Sequence, residues 1–166
     1  MALDILILRD GRESPAKCSL TPLRGVAGVR FARYDPARRL EAGGRVLLHP
    51  DGEELGPADR GRDLLLIDCA WRRVPSLLRT VDGALLPRRL QGFTSVYPRK
   101  SKTHSDPARG LASIEALFMA TLLLGEPRPE LLAKYRWRAA FLAANREQLE
   151  ELLPRRVSPA APPMPY

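Results

Sequence analysis

Four apolar runs punctuate the first 71 positions: "ALDILILRD" (2–10), "VRFARYD" (29–35), "GRVLLHPDG" (44–52) and "DLLLIDCAW" (63–71). The second alternates apolar and polar residues; the others are nearly continuous. Short apolar runs bounded by Gly, Pro and polar residues predict strands, and the unbroken ones predict strands buried on both faces of a parallel sheet. The connectors "ESPAKCSLTPLRG", "DPARRLEAGG" and "LGPADRGR" are polar and marked by Gly and Pro, with room for a helical turn or two. "VPSLLRTVDGALL" predicts a helix after the fourth strand, ending near Gly83.

The period changes in the second half. "GLASIEALFMATLLLG" is apolar nearly all round and predicts a buried helix closed by Gly125. "RPELLAKYRWRAAFLAANREQLEELL" predicts one long amphipathic helix, with Pro129 in its first turn. Leu131, Leu132, Tyr135, Ala139, Leu142, Arg146 and Leu149 keep helical spacing along it. Three stretches result. Residues 1–84 form an α/β half, residues 85–153 a basic loop and a helical half, and residues 154–166 a Pro-rich tail of disordered or polyproline type.

Charge sharpens this division. The chain of 166 residues carries a formal net charge of +8. Nine basic residues against two acidic ones between Arg72 and Arg109 account for seven of those charges. Phe93, Tyr97 and His104 lie among them. Guanidinium groups grip phosphates and aromatic rings stack on bases, so the stretch suits a polyanion, RNA first. A solvated basic loop is the plainer alternative. Residues 85–110 are also too long for a mere connector in a compact domain.

Several chemistries are absent from the sequence. Neither a GxGxxG turn nor a GK[ST] phosphate loop is present. Cys18, His49, Cys69 and His104 lack the paired spacing of a zinc site, so no metal is expected. Two cysteines make no disulfide framework, and Cys69 reads as a reduced structural thiol, which fits a cytosol. No stretch has the form of a secretory leader or a membrane span. His49, before Pro50, reads as a capping or packing residue.

The candidate chemistry lies where the fourth run ends. Ligands of open α/β sheets sit off the carboxyl ends of the strands, and Asp68 and Trp71 stand at such an end. Asp68 is either a site carboxylate or an N-cap for the next turn. Trp71 is either a flat apolar wall for a base or core packing. Glu115 is either a paired buried carboxylate near the site or a charge in the first turn of its helix.

Five segments, in order, carry a resemblance. "SPAKCSLTPLRG" is similar to a "D-P-K-K-C-T-G-x-K-L" element. "LLHPDGEELGPADRG" is similar to "L-S-P…S-P-A-D", "LLLIDCAW" to "D-C-S-W" and "GLASIEALFMATLLLG" to "L-S-C-V-E-A-L-A-A-A-L". "KYRWRAAFLAANREQLEELL" is similar to "F-x-W-G-x-x-F-L-x-x-N-x-x-L-L". This ordered set resembles the small-subunit rRNA aminocarboxypropyltransferases, SPOUT-like enzymes of ribosome biogenesis. Two departures stand out: Ser14 replaces the first Asp, and "QGFTSVYPRKSKTHSDPARG" replaces "A-A-N-P-V-N-Y-G".

The resemblance implies an α/β, SPOUT-like fold with a mostly helical, trefoil-knotted C-terminal half. It implies S-adenosylmethionine as cofactor and transfer of its 3-amino-3-carboxypropyl group to a pyrimidine ring nitrogen of rRNA. Trp71 and Leu48 would sandwich the cofactor, and backbone near Leu86 and Pro87 would hold its ribose and adenine. Ser19 and Ser113 would bond its carboxylate, and Asp68 would orient its amino group or assist loss of the ring proton. Arg72, Arg73, Arg88, Arg89, Arg99, Lys100 and Lys102 would hold RNA. A cytoplasmic monomer acting on rRNA or a pre-ribosomal subunit, or else on tRNA, is implied. A SPOUT-type RNA methyltransferase and a non-catalytic RNA-binding assembly factor are the alternatives.

Overall fold

The computed structural model describes residues 2–14, 18–98 and 110–153. Five strands form one sheet: β1 (Ile5–Arg9), β2 (Val29–Arg33), β4 (Val46–Glu54), β5 (Leu64–Asp68) and β7 (Leu86–Arg89). Their order across the sheet is β2-β1-β5-β4-β7, and every neighbouring pair is parallel. Two short strands, β3 (Leu40–Glu41) and β6 (Val81–Asp82), make a second parallel pair. All four expected strands are present.

The sheet separates two apolar layers by simple alternation. Ile5, Ile7, Leu64 and Leu66 face one side, where α2 (Ser113–Leu123) brings Ile114, Leu117 and Phe118. Leu6, Leu8, Leu47 and Leu65 face the other, with Leu77 of α1 (Val74–Leu78). Successive side chains of a strand point to opposite faces, so a strand apolar at every position must be covered twice. Leu131, Leu132, Phe141 and Leu149 join the first layer, so both halves of the chain share one core.

Three expectations change. The predicted helix over 74–83 stops at Leu78, because Thr80 to Asp82 pair alongside β3. Leu86–Arg89, read as loop, is an edge strand; only its pairing with β4 makes it one. The single long helix is three pieces: a 3₁₀ turn Pro129–Leu132, α3 (Arg138–Ala144) and α4 (Arg146–Leu152). The breaks fall at Trp137 and Asn145, whose backbones leave helical geometry. α2 ends as predicted, with Gly125 in the left-handed region at φ 79°. None of the described helices is long and apolar enough to cross a membrane.

Candidate active site

At the carboxyl ends of the two central strands, Arg9 of β1 stands in register with Asp68 of β5. Arg9 Nε donates to Asp68 Oδ2 at 2.9 Å, and the Cys18 thiol donates to the same oxygen at 3.4 Å. Arg9 Nη2 donates to Cys18 Sγ at 3.2 Å. Both charged side chains are nine-tenths buried, 9% and 10% exposed. Asp68 is therefore no helix cap; the following turn starts at Ala70 without any side-chain cap. One position beyond, Asp10 pairs with Arg73. Burial works against the Asp10 carboxylate, but the bonds from Arg73 and the Arg12 amide outweigh it and hold the carboxyl below its ordinary range.

The two thiols beside this cluster are kept protonated. Burial pushes the Cys69 thiol up to about 12, helped by Asp10, Glu13 and Asp68. Burial raises Cys18 too. At pH 8 Cys69 should therefore alkylate roughly 1,000-fold more slowly than an unshifted thiol, since the thiolate is the nucleophile. Mass-resolved iodoacetamide labelling checks this. Labelling of Cys69 at the rate of free cysteine would contradict its burial.

Trp71 is half exposed, at 50%, which removes the core-packing alternative for it. Its ring stands edge-on to His49, with centroids 6.4 Å apart. His49 follows Leu48, a half-buried residue at the margin of the core. Leu86 and Pro87 of β7 pair with Val46 and Leu47 of the same strand. Leu48, Trp71, Leu86 and Pro87 thus belong to one side of the sheet, from the end of β5 to the β4–β7 edge. Ser19 adjoins Cys18 in the chain, and Ser113 is the first residue of α2.

Gly52 fixes that edge. A Cβ there would come 2.4 Å from the backbone of Pro87 and Arg88. Gly52→Ala should cost about 1–3 kcal/mol, typical of forced overpacking. A lowered urea midpoint with an unchanged m-value checks it. Parental stability would mean that the two backbones are not held together.

The segment after β7 is clamped from below. Glu115, fully buried in α2, accepts from the Ser95 hydroxyl (2.5 Å), the Val96 amide (3.1 Å) and the Tyr135 phenol (3.1 Å). It also accepts from the Ala112 amide at 2.8 Å, so both readings of Glu115 hold: it caps its own helix and is paired at depth. Burial, then the Glu115 charge, raises the Tyr135 phenol. Asn145 takes the Thr94 amide on Oδ1 (2.7 Å) and gives Nδ2 to the Thr94 carbonyl (2.8 Å). Gln148 donates to the Gly92 carbonyl at 3.2 Å. Asn145 and Gln148 are absent from the sequence-based site. An Asn inside a run of helix formers was the available sign, because its side chain competes for backbone groups.

The basic residues separate into groups. Arg72 is exposed. Arg73 is committed to Asp10, and Arg88 bonds both oxygens of the buried Asp59 at 3.0 Å. Of the residues expected to face RNA, Arg88 is thus paired inside the fold, its side chain 16% exposed. Arg89 is exposed and donates one N–H to the Gly52 carbonyl at 2.9 Å. Arg99, Lys100 and Lys102 lie outside the described residues, as does the Pro-rich tail.

A parallel α/β sheet with a buried ion pair at its central strand ends, and an exposed indole three residues further on, has the form of the open α/β folds whose ligand sites lie off the strand ends. No family model matches the chain. It is 30% identical to the 16S rRNA aminocarboxypropyltransferase of Methanosarcina mazei, over 90% of this chain and 85% of that protein. It is 32% identical to the enzyme of the same name from Methanosarcina acetivorans, over 89% and 83%. Its fold is similar to the SAM-dependent rRNA:acp-transferase Tsr3 of Vulcanisaeta distributa, with a TM-score of 0.68, 26% identity and coverage of 92% of this chain and 83% of that one. The chain belongs to the 16S rRNA aminocarboxypropyltransferase family.

Proposed function

We propose that the protein transfers the 3-amino-3-carboxypropyl group of S-adenosylmethionine to a pyrimidine ring nitrogen of rRNA. The observation that carries this reading is the exposed Trp71 indole beside the buried Arg9–Asp68 pair at the strand ends. The residues fit the cosubstrate. An apolar wall of Trp71 and Leu48 suits an adenine, and the Leu86–Pro87 edge offers backbone groups to it. Asp68 and the hydroxyls of Ser19 and Ser113 match an ammonium and a carboxylate.

Bound S-adenosylmethionine would supply an activated carbon beside a sulfonium, a good leaving group for attack by a ring nitrogen. The chain's part is placement. Arg9 holds the Asp68 carboxylate in one orientation, and Glu115 and Asn145 hold the 94–96 backbone against the core. Fixing the reacting partners in line supplies much of the rate when the leaving group is already good. The trefoil-knotted helical half belongs to the same proposal. The clamp on residues 92–96 by side chains that come later in the chain supports it. Arg72 and Arg89 are placed toward RNA, and a cytoplasmic monomer completes the reading.

Calorimetry with S-adenosylmethionine should give micromolar binding, weakened at least tenfold by Trp71→Ala, about 1.4 kcal/mol. RNA from a strain lacking the protein should then gain about 101 Da per site when the protein is restored, the mass of the aminocarboxypropyl group, as against about 14 Da for a methyl. Unaltered binding in Trp71→Ala removes the indole from the site. A gain of a methyl mass replaces the proposed transfer.

A further inference from the structure

A second cavity of about 600 Å³ opens over the carboxyl ends of β1 and β2, lined by Arg9, Glu13, Arg24, Phe31 and Arg33 among others. It lies on the β2 side of the Arg9–Asp68 pair, whereas Trp71, Leu48 and Pro87 lie on the β4–β7 side. Of the residues given to the cosubstrate site, only Arg9, through its pair with Asp68, also lines it.

Its floor is fixed in place. Arg9 gives Nε to Asp68 and Nη2 to Cys18, but its buried Nη1 has no hydrogen-bond partner among the described residues. That nitrogen is closed to the cavity; the two bonds fix the rest of the guanidinium beside it. The other groups are set in advance. The Phe31 ring carries the Arg9 guanidinium at 4.7 Å and the Arg24 guanidinium at 5.7 Å. Such contacts hold planar cations in fixed orientation. Arg33 lies over Gly11, where a Cβ would sit 3.2 Å from its Nη2. Glu13 provides a carboxylate on the same wall, raised by burial and by Asp68 and Asp10.

Guanidinium donors beside two carboxylates, Glu13 and the Arg73-paired Asp10, form a pattern with a chemical complement. A uracil-type ring edge presents carbonyl acceptors flanking an N–H donor, and its nucleotide carries a phosphate. Glu13 suits the ring N–H, and Arg24 with Arg33 the phosphate. The volume falls in the range of small-molecule sites.

We propose that this cavity receives the acceptor pyrimidine nucleotide of the RNA, with its ring N–H on Glu13 and its phosphate on Arg24 and Arg33. The inference rests on the transfer reading above. It makes the Arg9–Asp68 pair the divide across which the cosubstrate and the acceptor meet. Glu13 takes the ring proton as the nitrogen bonds to carbon.

The full-length protein is assayed for transfer to an rRNA fragment, and its binding of uridine 5′-monophosphate is followed by amide chemical shifts. Arg24→Ala with Arg33→Ala should raise KM for RNA about tenfold or more and leave S-adenosylmethionine affinity unchanged. Glu13→Gln should lower kcat about 100-fold, within the span of general base catalysis, with KM little changed and partial rescue in Glu13→Asp. Uridine monophosphate should shift the amides of Gly11, Gly25 and Arg33. Parental kcat and KM in all variants of a protein that does transfer the group would overturn the inference and leave the transfer reading standing. If the parent protein transfers nothing, shifts confined to this cavity still support a nucleotide site, and their absence overturns it.

Discussion

Asp68→Ala is expected to abolish transfer and to lower folding stability by about 3–5 kcal/mol, the cost of stranding one charge of a buried pair. Arg9 would lose its carboxylate while remaining nine-tenths buried, with a second nitrogen already unpartnered among the described residues. Its remaining bond would run to a thiol, a weak acceptor. The effect belongs to the stranded charge more than to the bond itself. Replacing both partners, Arg9→Met with Asp68→Leu, should therefore return most of the stability and none of the activity. Urea denaturation of the two single variants and the double variant, alongside the transfer assay, separates these contributions. If the double variant is as unstable as Asp68→Ala alone, the pair is not the source of the loss.

Glu115→Ala should have an effect of similar size, by a different route. Four donors converge on that one side chain: Ser95, Val96, Ala112 and Tyr135. Each donor left unpaired at depth costs about 1–3 kcal/mol, and the losses overlap, so a total of about 3–5 kcal/mol is expected. The segment just beyond β7 would be released, and with it the backbone beside the proposed cosubstrate edge. Affinity for S-adenosylmethionine should fall at least tenfold. Glu115→Gln keeps the volume but turns an –NH₂ toward donors, so it should rescue little. Chemical denaturation and calorimetry on the same preparations test this. A variant that loses stability while binding the cosubstrate at parental strength would confine Glu115 to the core.

The two predictions show which parts of the molecule the sequence reveals. β1 and β5 are legible because a doubly covered strand must be apolar at nearly every position, and β4 is legible only through its apolar start, Val46–Leu48. α2 and its Gly125 stop are legible because burial and backbone conformation leave composition no freedom there. β7 is not legible: "LPRR" has neither alternation nor β-branched residues, and its strand character comes from lying against β4. The long C-terminal helix keeps its period while breaking at Trp137 and Asn145. Apolar residues continue to meet the core at the same spacing whether or not the backbone bonds are continuous. Asp68 and Trp71 could be found by the strand-end rule. Arg9 and Asp10 follow "ILIL" in the same manner, and the same rule applied to β1 would have singled them out. The pairing of Arg88 is not legible, because its partner, Asp59, lies 29 positions away and no local pattern announces a buried pair of that span.

Arg128 sits between the two halves. Its guanidinium donates to the Leu3 carbonyl, 125 positions earlier, and to the Ala27 carbonyl. Asn145 reaches back 51 positions to Thr94 in the same manner. These attachments are made by residues synthesised after every strand of the sheet. A nascent polypeptide can pair its early strands while still on the ribosome, yet the proposed cosubstrate edge closes only after residue 148 has emerged. Long-range closures of this kind also slow folding. A chain released before α4 would hold every strand but lack Leu149 of the shared core and Gln148 of the clamp, so completion of the site follows the order of synthesis.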